Sequence, residues 1–167
     1  MLAKKLGFDS LREEDAKLIA RFEKTLATLK PDMTIFYQLL IEASSQFETE
    51  EAALEHFRES FYQQPSRIQA QDFQGLMNLY AARRRSNQHE EAATREQMRR
   101  VNPRFILRNY LLHQAIEELE KEGKDDLFRK LEEAIREPYS TRFDEFLRKR
   151  PDWASQKAGC SMLSCSS

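Results

Sequence analysis

Apolar side chains recur along this chain at the three- and four-residue spacing that lines one face of an α-helix. Leu18, Ile19, Phe22, Leu26 and Leu29 form the first such stripe. Ser10, with Glu13 three residues on, reads as a capping box that opens this helix. Pro31 stops it, because the residue before a proline is pushed out of the helical region. A second stripe, Ile35, Phe36, Leu39, Leu40 and Ala43, predicts a short helix ended at Ser44-Ser45. Thr49 followed by Glu50 and Glu51 supplies a cap and dipole-matched acids for a third helix with Ala53, Leu54, Phe57 and Phe61, broken at Pro65. A fourth starts near Ser66 and carries Phe73, Leu76, Met77 and Tyr80, then loses its stripe. The stretch 83–100 is almost wholly polar, which predicts an exposed helical extension or a helix resting on a partner.

Asn102-Pro103 has the form of a helix start, an Asn cap with Pro at the first helical position. The helix predicted from it holds Phe105, Leu107, Leu111, Leu112, Ala115, Ile116 and Leu119, an apolar face broad enough for the central, most buried helix, with Gly123 as its stop. Asp125-Asp126 opens the next, with Leu127, Phe128, Leu131, Ala134 and Ile135, and Pro138 ends it. Thr141 to Arg150 predicts a last short helix around Phe143, Phe146 and Leu147. Beyond Pro151-Asp152-Trp153 the residues turn small and polar, the composition of a flexible tail. The pattern predicts an all-α fold: an irregular bundle of about six to seven helices over 1–153, then a cysteine-containing tail over 154–167.

Composition agrees with that class. The chain has 167 residues, four Gly and a single valine, Val101, so it lacks the β-branched residues and turn glycines of a sheet-rich domain. With 40% hydrophobic and 33% charged residues it can build a core without staples. The net charge of −1 offers no global attraction to nucleic acid or to an anionic membrane. No apolar run reaches the ~20 residues of a membrane span, and Met1-Leu2-Ala3-Lys4-Lys5 leads into no signal-peptide stretch, so a cytoplasmic location is expected.

Candidate chemistry is sparse. The four glycines lie far apart, so no phosphate-cradling loop is expected, and the hydrolase serine elbow Gly-x-Ser-x-Gly does not occur. Asp72-Phe73-Gln74 lacks the glycine and companion motifs of a kinase metal loop. His56, His89 and His113 lie far apart and lack the spacing of metal ligands. No catalytic, cofactor-binding or metal residue is therefore assigned. Between Arg83 and Arg108 eight Arg stand against three Glu. No aromatic residue interleaves them from 83 to 101, so stacking on single-stranded nucleic acid is unsupported, and an acidic protein partner suits this basic face better. Asn102, Arg104, Arg108 and Asn109 lie on or beside the helix predicted to be most buried, where polar groups must be paired. They are expected to form a structural network. Cys160 and Cys165, among Ser and Gly, are read as exposed thiols capable of redox chemistry.

One run carries a resemblance. Val101-Asn102-Pro103-Arg104-Phe105-Ile106-Leu107-Arg108-Asn109-Tyr110-Leu111, continuing Gln114-Ala115-Ile116-Glu117, resembles the V-N-P-x-x-x-L-R-N-[WY]-L-x-x-x-A-I-E signature of the selenoprotein O family. Glu137-Pro138-Tyr139, Pro151-Asp152-Trp153 and the ending Ser164-Cys165-Ser166-Ser167 follow in the family's order, and Lys5-Leu6-Gly7 resembles the point where its helical C-terminal region begins. The resemblance implies a kinase-like fold elsewhere that binds ATP with Mg or Mn and transfers AMP to Ser, Thr or Tyr hydroxyls of proteins. The residues of that chemistry match nothing here, so this chain is expected to be the supporting region, a fragment or split product, inactive alone. Its implied partner is the kinase-like core, in cis or as a separate chain. Apolar faces that rest on such a core would otherwise be exposed or covered in a homodimer. Cys165 matches the family's near-terminal selenocysteine or cysteine, which resembles a redox latch. Cys160 departs from the family's three-residue spacing, which weakens a Cys160–Cys165 pairing. A free-standing helical adaptor docking through the basic 83–108 face is the alternative.

Overall fold

The computed structural model describes residues 2–43, 46–157 and 160. These residues are helical or irregular, with no strand among them. They form two compact units, residues 1–102 and 103–167, each with its own core.

The first unit contains α1 (Leu2–Lys5), α2 (Asp15–Leu29), α3 (Met33–Glu42), α4 (Glu50–Phe57) with a 3₁₀ turn at Arg58–Ser60, α5 (Arg67–Arg85) and α6 (Glu91–Arg99). Local chemistry sets several boundaries. Asp32 caps α3 by accepting from Ile35 N at 3.2 Å, and Thr49 caps α4 by accepting from Ala52 N at 3.1 Å. Ser66 and Gln69 form a reciprocal capping box at the head of α5. α5 is the central helix of this unit and packs on both α2 and α4. Its Phe73, Leu76, Met77 and Tyr80 are almost wholly buried. Phe57 stands edge-on to Phe73 at 5.1 Å between ring centroids and stacks on Phe36 at the same separation. Gly7 has φ +71°, and a Cβ there would lie 2.6 Å from Met98 Sδ, so only glycine lets α6 close on this loop.

The second unit contains α7 (Asn109–Glu122), α8 (Asp126–Arg136), a 3₁₀ segment at Thr141–Phe146 and α9 (Trp153–Gln156). α7 and α8 form a helical hairpin. Gly123 ends α7 at φ +66°, its N–H donating to Leu119 O. Phe105, Tyr110, Leu111, Ala115, Leu131, Ala134, Phe143, Phe146, Ala154 and Cys160 make the core.

The all-α class stands, with boundaries that differ from the sequence reading. The described residues hold nine α-helices because α1 and α9 are short and residues 86–90 separate α5 from α6. α2 starts at Asp15, not Ser10: the Asp15 carboxylate accepts from Arg12 N at 2.9 Å, and no capping bond forms at Glu14. No helix starts at Pro103. The Asn102 amide donates to Lys5 O and Met98 O instead of capping forward, and Arg104 N and Phe105 N both donate to Pro138 O, holding 103–108 out of helix. α7 is not the most buried helix either, since Leu112, Ile116 and Leu119 are 38–54% exposed. The predicted helix 141–150 is a shorter 3₁₀ segment. Inside the predicted tail, α9 forms and Ala154 is fully buried. Ser44, Ser45 and most of the predicted tail, Cys165 included, lie outside the described residues.

Candidate functional site

Two arginines in the last turn of α5, Arg83 and Arg84, are buried, 8% and 3% exposed. They turn to opposite tasks. Arg83 gathers the segment that leads into α2. Its Nε donates to Asp15 Oδ1 at 2.6 Å and its Nη2 to Asp15 Oδ2 at 3.1 Å, a bidentate pair. Nη2 also donates to Ser10 O, Nη1 donates to Asn87 Oδ1, and Asp9 lies 3.4 Å away. The guanidinium sits over the Phe8 ring at 4.5 Å. Arg84 donates through Nη1 to the carbonyls of Leu40, Ile41 and Ala43, so its charge closes the C-terminal end of α3. Its Nη2 pairs with Glu91 of α6.

The electrostatics follow from those contacts. Burial works to raise the Asp15 carboxyl, but the Arg83 hydrogen bond, the Arg12 N–H and the nearby positive charges outweigh it and hold the group below the ordinary carboxylate range. The backbone N–H of Gln88, 3.0 Å from Asp9 Oδ2, lowers Asp9, with smaller help from Ser10 N–H and Arg83. Burial pushes the Tyr80 phenol well up, so it stays protonated and donates to Leu6 O at 2.9 Å. These groups hold four helices together through bonds to one another, to Glu91 and to backbone carbonyls, and the buried Arg84 Nε is left without a partner.

The sequence-predicted residues fall in both units. Asn102 ends the first, 1% exposed, donating to Lys5 O at 3.0 Å and Met98 O at 3.1 Å, while its own carbonyl accepts from Gln38 Nε2 at 3.0 Å. Arg104 and Arg108 lie in the second unit. Arg104 makes a bidentate pair with Asp144, both bonds 2.7 Å, and Arg108 Nη1 donates to Arg148 O at 2.8 Å. Asn109 is the first residue of α7. Cys160, read from sequence as an exposed thiol, is 5% exposed in the second core, and its N–H donates to Lys157 O. Its placement is set by α9 and its surroundings: Lys157 bonds Glu117 at 2.9 Å and lies over Trp153.

The arginines of the 83–108 stretch do not all face outward. Arg83 and Arg84 are internal, Arg95 and Arg99 pair with Glu42, Arg100 pairs with Glu96, and Arg104 and Arg108 belong to the second unit. A signal for Arg83 and Arg84 was present in the sequence. Phe73, Met77, Tyr80 and Arg84 continue one stripe at four- and three-residue steps, as do Leu76, Tyr80 and Arg83. An arginine on the extension of a buried stripe is itself placed toward the core.

The second unit presents an apolar surface. Leu112, Ile116 and Leu119 recur along α7, and Phe128 and Ile135 along α8, all between 38% and 54% exposed. Leu107, Leu112, Phe128, Leu131, Glu132 and Ile135 line a groove of about 100 Å³. Among the described residues no helix is long and apolar enough to cross a membrane.

Comparison with known proteins gives one consistent result. The family model described as "Protein adenylyltransferase SelO" matches residues 1–136. A protein nucleotidyltransferase YdiU of Cytophaga hutchinsonii is 51% identical over 167 residues, which cover all of this chain and 32% of that protein. Proteins of the same description from Aromatoleum aromaticum and Xanthomonas euvesicatoria are 36% and 39% identical, covering 100% and 99% of this chain and again 32% of each relative. The chain therefore spans about a third of the length of the curated relatives it matches.

Proposed function

This chain belongs to the SelO family of protein adenylyltransferases, and on that premise we propose that it is the helical supporting region of such an enzyme. In this reading another body, covalently continuous or separate, supplies the kinase-like core, which binds ATP with Mg or Mn and transfers AMP to Ser, Thr or Tyr hydroxyls of proteins. The chain's part is to brace that core, and alone it transfers nothing.

The observation that carries this reading is the pairing of a match along the whole chain with coverage of only 32% of the relative. The character of the polar groups supports it. Arg83, Arg84, Asp9 and Asp15 bond one another, Glu91 and backbone carbonyls, the buried Arg84 Nε that lacks a partner is closed to solvent, and His56 is bonded to Leu39 O at 2.9 Å. A catalytic acid, base or phosphate clamp needs atoms left over for a substrate. The adaptor alternative drew on a continuous basic face, and the dispersal of those arginines gives it little support.

The test is AMP transfer from ATP, with Mg or Mn, by two proteins: this chain, and a chimera in which it replaces the matched third of the Cytophaga relative. The reading predicts an inactive chain and an active chimera. An inactive, folded chimera beside an active relative would refute it.

A further inference from the structure

Most arginines of the first unit are answered by a carboxylate, Arg12 by Asp9, Arg58 by Glu55 and Arg99 by Glu42 among them. Arg21 of α2 is not. It is half-buried, and its one hydrogen bond to the described residues runs from Nη2 to the backbone carbonyl of Asp72 at 3.3 Å. That bond brings the guanidinium down onto α5 at Gly75, where a Cβ would lie 3.0 Å from Nη2. Glycine is a poor choice inside a 19-residue helix. Here it lets the guanidinium lie against bare backbone. The other Arg21 donors, Nε and Nη1, meet no acceptor among the described residues.

Arg21 borders a cleft of about 280 Å³ between α2 and α5. Lys24, Thr25 and Thr28 line it from α2, and Gln69 and Asp72 from α5. Lys24 and Thr25 stand three and four residues after Arg21, on the same side of the helix. Lys24 forms no ion pair among the described residues. Gln69 accepts from Ser66 N through Oε1 at 2.8 Å, which leaves its amide N–H groups as donors. Two cations face a single carboxylate, the exposed Asp72, so the cleft is net positive. Its volume falls short of the ~300–1,000 Å³ typical for drug-sized ligands, which suits a small anion and not a whole nucleotide. Guanidinium, ammonium, hydroxyl and amide donors around one space match a tetrahedral oxyanion, which accepts from several directions, better than a planar carboxylate. We propose that this cleft binds phosphate, as the free ion or as pyrophosphate. Arg21 is the clamp, Lys24 the second charge, and Thr25 and Gln69 the neutral donors. The site lies wholly in the first unit and asks nothing of the reading under Proposed function.

Titration of the whole isotope-labelled chain with sodium phosphate or pyrophosphate, followed by NMR at constant ionic strength, tests this. Either anion shifts the Arg21 side-chain N–H and the backbone amides of Thr25 and Gln69 saturably, and sodium chloride does not. The anion that saturates at the lower concentration is the form the site takes. Arg21→Gln weakens binding about tenfold, the loss of one charge-assisted contact, and Lys24→Gln weakens it less. Gly75→Ala puts a methyl against the guanidinium. It weakens binding without lowering the melting temperature, because α5 gains a better helix former. Arg85→Gln, at an exposed position in the last turn of α5, changes nothing. Should Arg21→Gln fail to fold, Lys24→Gln and Gly75→Ala decide the matter. Absence of saturable shifts overturns the inference. So do unchanged affinity in the Arg21 and Gly75 variants, an equal loss in Arg85→Gln, or acetate binding as tightly as phosphate.

Discussion

Arg83 Nε reaches Asp15 Oδ1 at 2.6 Å across 68 residues of sequence, joining the last turn of α5 to the first residue of α2. Both side chains are nearly closed to water. Such a pair is costly to leave half made, because the surviving charge stays buried and unpaired. Asp15→Asn and Arg83→Met should each destabilise the first unit by about 3–5 kcal/mol. The double variant should lose clearly less than the two together, since the stranded charge is gone. Urea unfolding of the four proteins of this cycle checks the claim. Additive losses would show that the pair is not coupled.

The same groups set an acid limit. Asp9 and Asp15 titrate below the ordinary carboxylate range in the folded chain. Below the usual value near ~3.9 the unfolded chain therefore binds more protons, and stability rises with pH. The contribution is complete above about pH 5 and is lost as pH falls through the depressed folded-state values. Urea midpoints should be flat from about pH 6 to 8 and fall below about pH 5, and Asp15→Asn should flatten that fall. An unchanged acid limb in the variant would contradict the assignment.

Gly7 and Gly123 share a left-handed backbone but not surroundings. A Cβ at Gly123 meets nothing within 4 Å, so Gly123→Ala should cost only the conformational term of about 1 kcal/mol. At Gly7 the same methyl meets Met98 Sδ at 2.6 Å and Thr94 Cγ2 at 3.0 Å. Gly7→Ala adds overpacking of about 1–3 kcal/mol to that strain. Thermal melting should rank the two variants in that order; equal effects would mean that α6 yields freely.

Cys160 should behave as a core residue. In a Cys165→Ser background its thiol should react with a maleimide far more slowly in the folded chain than in urea, because it is buried among Phe105, Tyr110 and Ala154. Equal rates in the two conditions would place Cys160 at the surface.

Features set by neighbours in sequence were the readable ones. Thr49, Ser66, Pro31 and Gly123 act within a few residues of themselves, and each stops or starts a helix where its chemistry implies. Features set by distant partners were not. Asn102-Pro103 has the composition of a helix start, yet the Asn102 amide is claimed by Lys5 O, 97 residues away, and no helix forms between Asn102 and α7. Arg83 and Arg84 read as solvated because Asp15 and the carbonyls of Leu40–Ala43 arrive from other helices. Periodicity showed an apolar face on 109–122 without saying which part is covered within the chain. The side left open carries Leu112, Ile116 and Leu119.

The most direct measurement is transfer of radiolabelled AMP from ATP to protein, with Mg or Mn, by this chain alone and by the chimera carrying it. The account predicts background labelling by the chain and adenylylated protein with the chimera. Adenylylation by the purified chain acting alone would contradict it.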